Sequence, residues 1–178
     1  MDKKIAILRG INVGGKCKIL MADLKSMCEN LGLENVTTYI QSGNLIFNSN
    51  QPNYELENSL EKKINGKYGF NVPVIVRTKR ELENSLKNNP FLNKGFDIKK
   101  LYLTFLKEKP KKENLEKTLT FSYEPDKFTI SGKDAFIFCS EKYHTSKLTN
   151  NFFEKQLKVI ATTRNWKTVL KLSELSDD

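Results

Sequence analysis

The chain has 178 residues, 38% hydrophobic and 10% aromatic, enough to bury the core of one large or two small domains and to exclude wholesale disorder. A net charge of +9 and a pI near 9.4 raise nucleic acid as a partner, yet only Arg9, Arg77, Arg80 and Arg164 are arginines and the lysines spread along the whole chain, as on a solvated surface. No apolar run is long enough to span a membrane, no leader-cleavage pattern follows Met1, and Cys17, Cys28 and Cys139 are too scattered for a disulfide framework or a thiolate zinc site, so a cytoplasmic protein with no membrane partner is expected.

Ile5 to Leu8 is apolar on both faces and reads as an interior strand. It runs into the loop Arg9-Gly10-Ile11-Asn12-Val13-Gly14-Gly15-Lys16. Met21, Leu24, Cys28 and Leu31 then mark one face of a helix that Gly32 closes. Val36 to Ile40, rich in β-branched residues, is a strand, turned by Gln41-Ser42-Gly43-Asn44 into Leu45-Ile46-Phe47. Asn53 is placed to cap a helix carrying Leu56, Leu60 and Ile64. Val72 to Val76 is a strand, at a sheet edge because Pro73 has no N–H for a ladder. Thr78-Lys79-Arg80-Glu81 has the spacing of a capping box and opens a further helix, which Asn89-Pro90 ends.

The second half repeats the order. Leu101 to Phe105 is a strand, Asn114 to Leu119 a short helix, and Phe128 to Ile130 with Ala135 to Cys139 a hairpin around Ser131-Gly132-Lys133-Asp134. Leu148 to Leu157 is a helix, Val159 to Thr162 a strand and Asn165 to Leu175 a closing helix. The fold class is therefore α+β: two ferredoxin-like βαββαβ halves with antiparallel sheets, residues 1–90 and 91–178, each followed by an extra helix. Arg77 and Arg164 both stand where a last strand passes into its trailing helix.

This topology has a consequence for the glycine motifs. The first two strands run parallel with the third between them, so the end of the first strand meets the turn between the second and third. Arg9, Gly10, Asn12, Gly14 and Gly15 are thereby brought beside Gln41, Ser42, Gly43 and Asn44. The first helix opens its N–H groups onto the same end. One arginine, glycine-exposed amides and neutral hydrogen-bonding side chains suit a small anionic or phosphate-bearing ligand. They do not suit a metal, for carboxylates and histidine are missing. The same residues also admit a purely architectural reading, with the glycines serving tight turns and Asn44 its own backbone.

Other motifs carry less. Gly10 to Cys17 has the GxxxxGK spacing of a phosphate-binding loop, but Cys17 replaces the magnesium-binding hydroxyl and the helix starts too late. Phe136 and Phe138 alternate as base-stacking aromatics would, on a strand apolar on its other face as well, which makes them core. His144 has no Ser or Cys partner at a recognisable spacing, and Asp23 and Asp134 pair with nothing for acid–base work. Cys17, beside lysines, is a candidate reactive thiol. Thr162 to Trp166 concentrates polar groups: Asn165 is placed to cap the last helix below the sole tryptophan. Arg164, Asn165 and Trp166, with Lys147 on the preceding segment, are further candidate ligand contacts, in a cleft between the halves.

Leu8-Arg9-Gly10-Ile11-Asn12-Val13-Gly14-Gly15, Met21-Ala22-Asp23-Leu24, Thr38 to Asn44 and Ala161 to Trp166 with Thr168-Val169 resemble the bacterial proteins grouped as domain of unknown function 1697. The resemblance spans the chain. It implies the duplicated α+β fold and carries no established activity, cofactor or catalytic residue. Cys17 departs from it, standing where similar sequences commonly carry a polar residue. Three functional readings follow: a pocket for a small anionic ligand at the Arg9 and Ser42 loops, a nucleic-acid-binding lysine surface, and a structural or interaction protein without a ligand. No cofactor, metal or oligomeric state is specified by these motifs.

Overall fold

Strands that are apolar on both faces lie at the centres of two four-stranded antiparallel sheets in the computed structural model, which describes residues 1–177. In the first half β1 (Asp2–Leu8), α1 (Met21–Glu29), β2 (Glu34–Tyr39), β3 (Asn44–Ser49), α2 (Asn53–Tyr68) and β4 (Val74–Thr78) are trailed by α3 (Lys79–Lys87). The second half has β5 (Leu101–Leu106), α4 (Lys112–Thr118), β6 (Lys127–Ser131), β7 (Asp134–Phe138), α5 (Asn150–Leu157), β8 (Ala161–Asn165) and trailing α6 (Trp166–Leu175). Sheet orders are β2-β3-β1-β4 and β6-β7-β5-β8. Both halves thus have the βαββαβ order that the sequence predicts. The chain packs as two compact units, residues 1–83 with those from 172 on, and residues 84–171.

Each centre follows from its side chains. Ala6 and Leu8 of β1, Leu45 and Phe47 of β3 and Val74 and Val76 of β4 join Leu24, Cys28, Leu56, Leu60 and Ile64 of the helices in one core. Ile5, Ile7, Ile46 and Ile75, on the opposite face, are as fully buried. In the second unit Leu106, Ala135, Ile137 and Cys139 pack with Phe153 and Leu157 of α5. Among the described residues no helix is long and apolar enough to cross a membrane. Nor does any group of three or more His, Cys, Asp or Glu among them stand where it could hold a metal ion.

Edge strands must satisfy outward N–H groups, and here helix carboxylates do it. Glu57 and Glu61 of α2 accept from Val76 and Val74 of β4 at 2.9 and 2.8 Å, and Glu154 of α5 accepts from Ala161 of β8 at 3.0 Å. A charge-assisted bond of this kind is stronger than a neutral one and seals the edge against further pairing. The capping box forms in full, Glu81 N–H to Thr78 Oγ1 and Thr78 N–H to Glu81 Oε2, and the equivalent Asn165 accepts from Thr168 N–H at 2.8 Å.

Several boundaries move for physical reasons. β4 starts at Val74 rather than Val72, because Pro73 precedes the ladder and offers only its carbonyl, to Arg9 N–H. β8 likewise begins at Ala161, not Val159, since Lys158 closes α5 in a left-handed conformation. Ile40 leaves β2 and turns at a φ of 50°. Asn53 does not cap α2. Pro52 stands at the cap, and the Asn53 amide instead donates to Val76 O and Glu81 while its oxygen accepts from Lys4 Nζ.

Asp126, just before β6, fastens the second unit's edge. Its carboxylate accepts from Ser140 N–H, Ser140 Oγ and Ser146 Oγ at 2.8, 2.9 and 2.6 Å. Partial burial alone would raise its pKa, but these donors outweigh that and hold it below the usual carboxylate value. A depressed carboxyl stabilises the fold at pH values above its unfolded pKa, about 3.9, and loses that contribution as pH falls through the folded value. Asp126→Ala is therefore expected to cost about 1–3 kcal/mol at neutral pH. In urea titrations at stepped pH the gap to wild type should narrow below about pH 4; a gap independent of pH would contradict this role.

Candidate functional site

The two glycine motifs meet at one end of the first sheet. Ile7 of β1 is paired with Asn44 of β3, Leu8 N–H donates to Gly43 O at 2.9 Å, and Arg9 N–H continues to Pro73 O at 2.9 Å. The approach is close: a Cβ on Gly43, whose φ is +82°, would lie 2.5 Å from Ile11 Cδ1 and 2.9 Å from Leu8 Cβ. Gly43 therefore serves two needs, a left-handed turn and contact without a side chain.

Asn12 holds the loop around this contact. At a φ of 55° its carboxamide accepts from Ile19 N–H at 2.9 Å and donates to Ile19 O and Gln41 O at 3.0 and 2.9 Å. Its own N–H donates to Cys17 O, and Lys16 N–H to Val13 O, closing a small turn at Gly14-Gly15. The fully buried Asn44 donates to Tyr39 O and to Ser42 Oγ, fixing the β2–β3 turn. Cys17 and Ile40 also take positive φ, at 47° and 50°. A β-branched residue in that region is strained, so the surrounding bonds over-determine the conformation.

The groups left at the surface are of two kinds. Arg9 and Ser42 are half-buried at the rim, and Gly10, Gly14 and Gly15 are exposed, with N–H groups that carry no bond within the chain among the described residues. The N-terminus of α1 has no side-chain cap. Lys16 and Lys18 add positive charge, and Asp23, in the first turn of α1, is the one acid within residues 8–23 and 39–44. The second kind is apolar: Val13, Leu20 and Ile40 are exposed large hydrophobic residues. Sequence periodicity did not select these three. Val13 and Leu20 fall between the predicted elements, whereas Ile40 reads in sequence as the end of the second strand.

The other candidates lie in the second unit. Arg164 is buried, its guanidinium donating to Thr162 Oγ1 and Thr163 O at 3.1 and 3.0 Å, and burial pulls its pKa down to about 10. Arg77 is the matching buried residue of the first unit, donating to Val76 O. Trp166 is buried, Asn165 spends its oxygen on the α6 cap, and Lys147 is exposed. His144 sits exposed in a short turn, Tyr143–Thr145. Burial pushes the Cys28 and Cys139 thiols up, to about 12 and about 11, which makes them poor nucleophiles. A cavity of about 330 Å³ is lined by Phe91, Phe121, Tyr123 and Phe128, and an open groove of about 620 Å³ runs beside Leu31, Lys62, Lys63 and Lys67.

Residues 1–136 match the family model described as protein of unknown function, DUF1697. The chain belongs to that family. Its fold is similar to that in the structure of the conserved bacterial protein SP0830 from Streptococcus pneumoniae, with a TM-score of 0.78 and 27% sequence identity over 98% of each chain. Among curated proteins none matches. The likeness to SP0830 covers 98% of the chain and so runs beyond residue 136, where the family match ends.

The close approach at Gly43 gives the DUF1697 protein a measurable signature. Gly43→Ala should cost about 2–3 kcal/mol, because overpacking adds to left-handed strain. Gly14→Ala, where a Cβ meets nothing within 4 Å, should cost only the strain, about 1 kcal/mol. Urea midpoints at unchanged m-value separate the two; equal losses would contradict the contact argument.

Proposed function

We propose that this protein binds an anionic group, a carboxylate or a phosphate, at the rim made by residues 9–20 and 40–44. The reading is supported by the gathering of donors at one end of the first sheet: Arg9, the exposed amides of Gly10, Gly14 and Gly15, and the uncapped start of α1. Arg9 supplies the charge and the bidentate geometry that anions select. The amides and the Ser42 hydroxyl orient the group. Asn12, Gln41, Gly43 and Asn44 keep the two loops in register, through the Asn12 and Asn44 carboxamides and the Gln41 and Gly43 carbonyls. The rim offers donors rather than a base, which suits recognition. A preformed set of donors loses little entropy on binding.

Thermal denaturation with inorganic phosphate, pyrophosphate, nucleotides and dicarboxylates tests this. At a free concentration ten times Kd the stabilisation is roughly 1.4 kcal/mol, a rise in Tm of about 3–5 °C for a chain of this size. Arg9→Ala should abolish the rise while leaving the unliganded Tm within about 2 °C, as befits a rim side chain. An equal rise in the variant, or none in the wild type for any anion, would overturn the reading.

A further inference from the structure

Val13, Leu20 and Ile40 are 65%, 69% and 46% exposed, and the backbone that carries the three is drawn together by one side chain. The Asn12 carboxamide binds both Ile19 O and Gln41 O. Val13 follows Asn12 itself, Leu20 follows Ile19 and Ile40 precedes Gln41, so each apolar residue is next in sequence to the amide's own residue or to one that it holds. Scattered exposed hydrophobics are ordinary on a protein surface. Here three are gathered by a single side chain, at the end of the sheet that also carries Arg9, Lys16 and Lys18. An apolar cluster with a cationic border has the anatomy of a docking surface, where anchors supply binding energy and charges supply orientation.

Resting on the anion-binding reading above, we infer that this rim docks an acidic protein segment, one whose carboxylates meet Arg9, Lys16, Lys18 and the glycine amides while a large apolar side chain covers Val13, Leu20 and Ile40. Charge excludes a second copy as the occupant. A two-fold contact would set this basic surface against itself, in a chain of net charge +9. A lipid surface fits the charge but not the backbone. Burying Val13 and Leu20 in acyl chains would carry the amides of Gly10, Gly14 and Gly15 toward a medium with no acceptors. A peptide brings carboxylates and carbonyls that satisfy them.

The test uses the full chain as bait for a displayed library of random peptides, followed by affinities of the synthesised winners. Enriched peptides should carry net negative charge and at least one large apolar residue. Leu20→Ala and Val13→Ser should each weaken a winning peptide about 10- to 30-fold, as the loss of an anchor does. Both variants should keep the thermal shift given by inorganic phosphate or whichever small anion the wild type binds, whereas Arg9→Ala should lose peptide and anion together. A small-anion response that persists in Arg9→Ala would count against the anion reading alone, whereas unchanged peptide affinity in the Val13 and Leu20 variants would overturn this proposal. Neutral or basic winners would overturn the proposal. So would a Leu20-dependent dimer in sedimentation at high concentration. Binding to vesicles one-third phosphatidylserine that Leu20→Ala abolishes, with no peptide enriched, would overturn it in favour of a lipid surface.

Discussion

The carboxamide of Asn12 ties together three stretches of backbone that no ladder connects. Its oxygen and its amide group both engage Ile19, and the second hydrogen of that amide reaches Gln41 O across the end of the sheet. A side chain that spends both its polar atoms on main chain converts a loop into something nearly as fixed as a strand. The entry to α1 and the β2–β3 turn are joined through it. Without that amide the loop would retain the Asn12–Cys17 and Lys16–Val13 bonds. These two bonds close the loop on itself and do not reach residues 40–44.

The far sides of the sheets solve a different problem by related means. A βαββαβ sheet has two edges, and an outward N–H at an edge either meets water or meets a partner. Glu57, Glu61 and Glu154 reach from the helices to take those N–H groups on β4 and β8. The two units do this with different neighbours. In the first, the carboxylates of α2 span two positions of β4. In the second, Asn150 takes the Thr163 hydroxyl while Glu154 takes the Ala161 amide. The shared element is the helix face that overlooks the edge. Arg77 and Arg164 stand at matching places, next to the last residue of each edge strand, and each donates to the carbonyl just before it.

Much of this was legible in the sequence, and the reason is local. Apolar alternation, the Thr78–Glu81 box and the Asn165 cap are short-range signals, and the structure returns each of them. Strand order and the meeting of the Arg9 and Ser42 loops followed from one inference about topology. What sequence could not show was how polar side chains are spent. Asn12 and Asn53 read as a ligand contact and a helix cap, yet the first staples a loop and the second spans from Lys4 to Glu81. An amide's partners depend on residues far along the chain. The same holds for Glu57 and Glu61, which look in sequence like ordinary acids on a helix surface. Exposure is equally non-local. Leu20 precedes a helix whose Leu24, Met27 and Cys28 are buried, and only the direction of entry leaves it in solvent.

Ile40 brings these strands of argument together. A left-handed φ costs a residue with a Cβ roughly 1–2 kcal/mol, and a β-branched one is the least tolerant. Glycine or asparagine would make the same turn with less strain, and Gly43, three positions on, already donates its N–H to Ile40 O. Burial offers no compensation either, because Ile40 is half exposed. Local folding therefore gives no reason for an isoleucine at this position. Its side chain lies beside Gln41, whose carbonyl the Asn12 amide holds, so the strain is borne by a part of the surface that cannot relax. A fold that fixes an apolar side chain in solvent, at a cost and in one conformation, supplies what the docking surface proposed above requires.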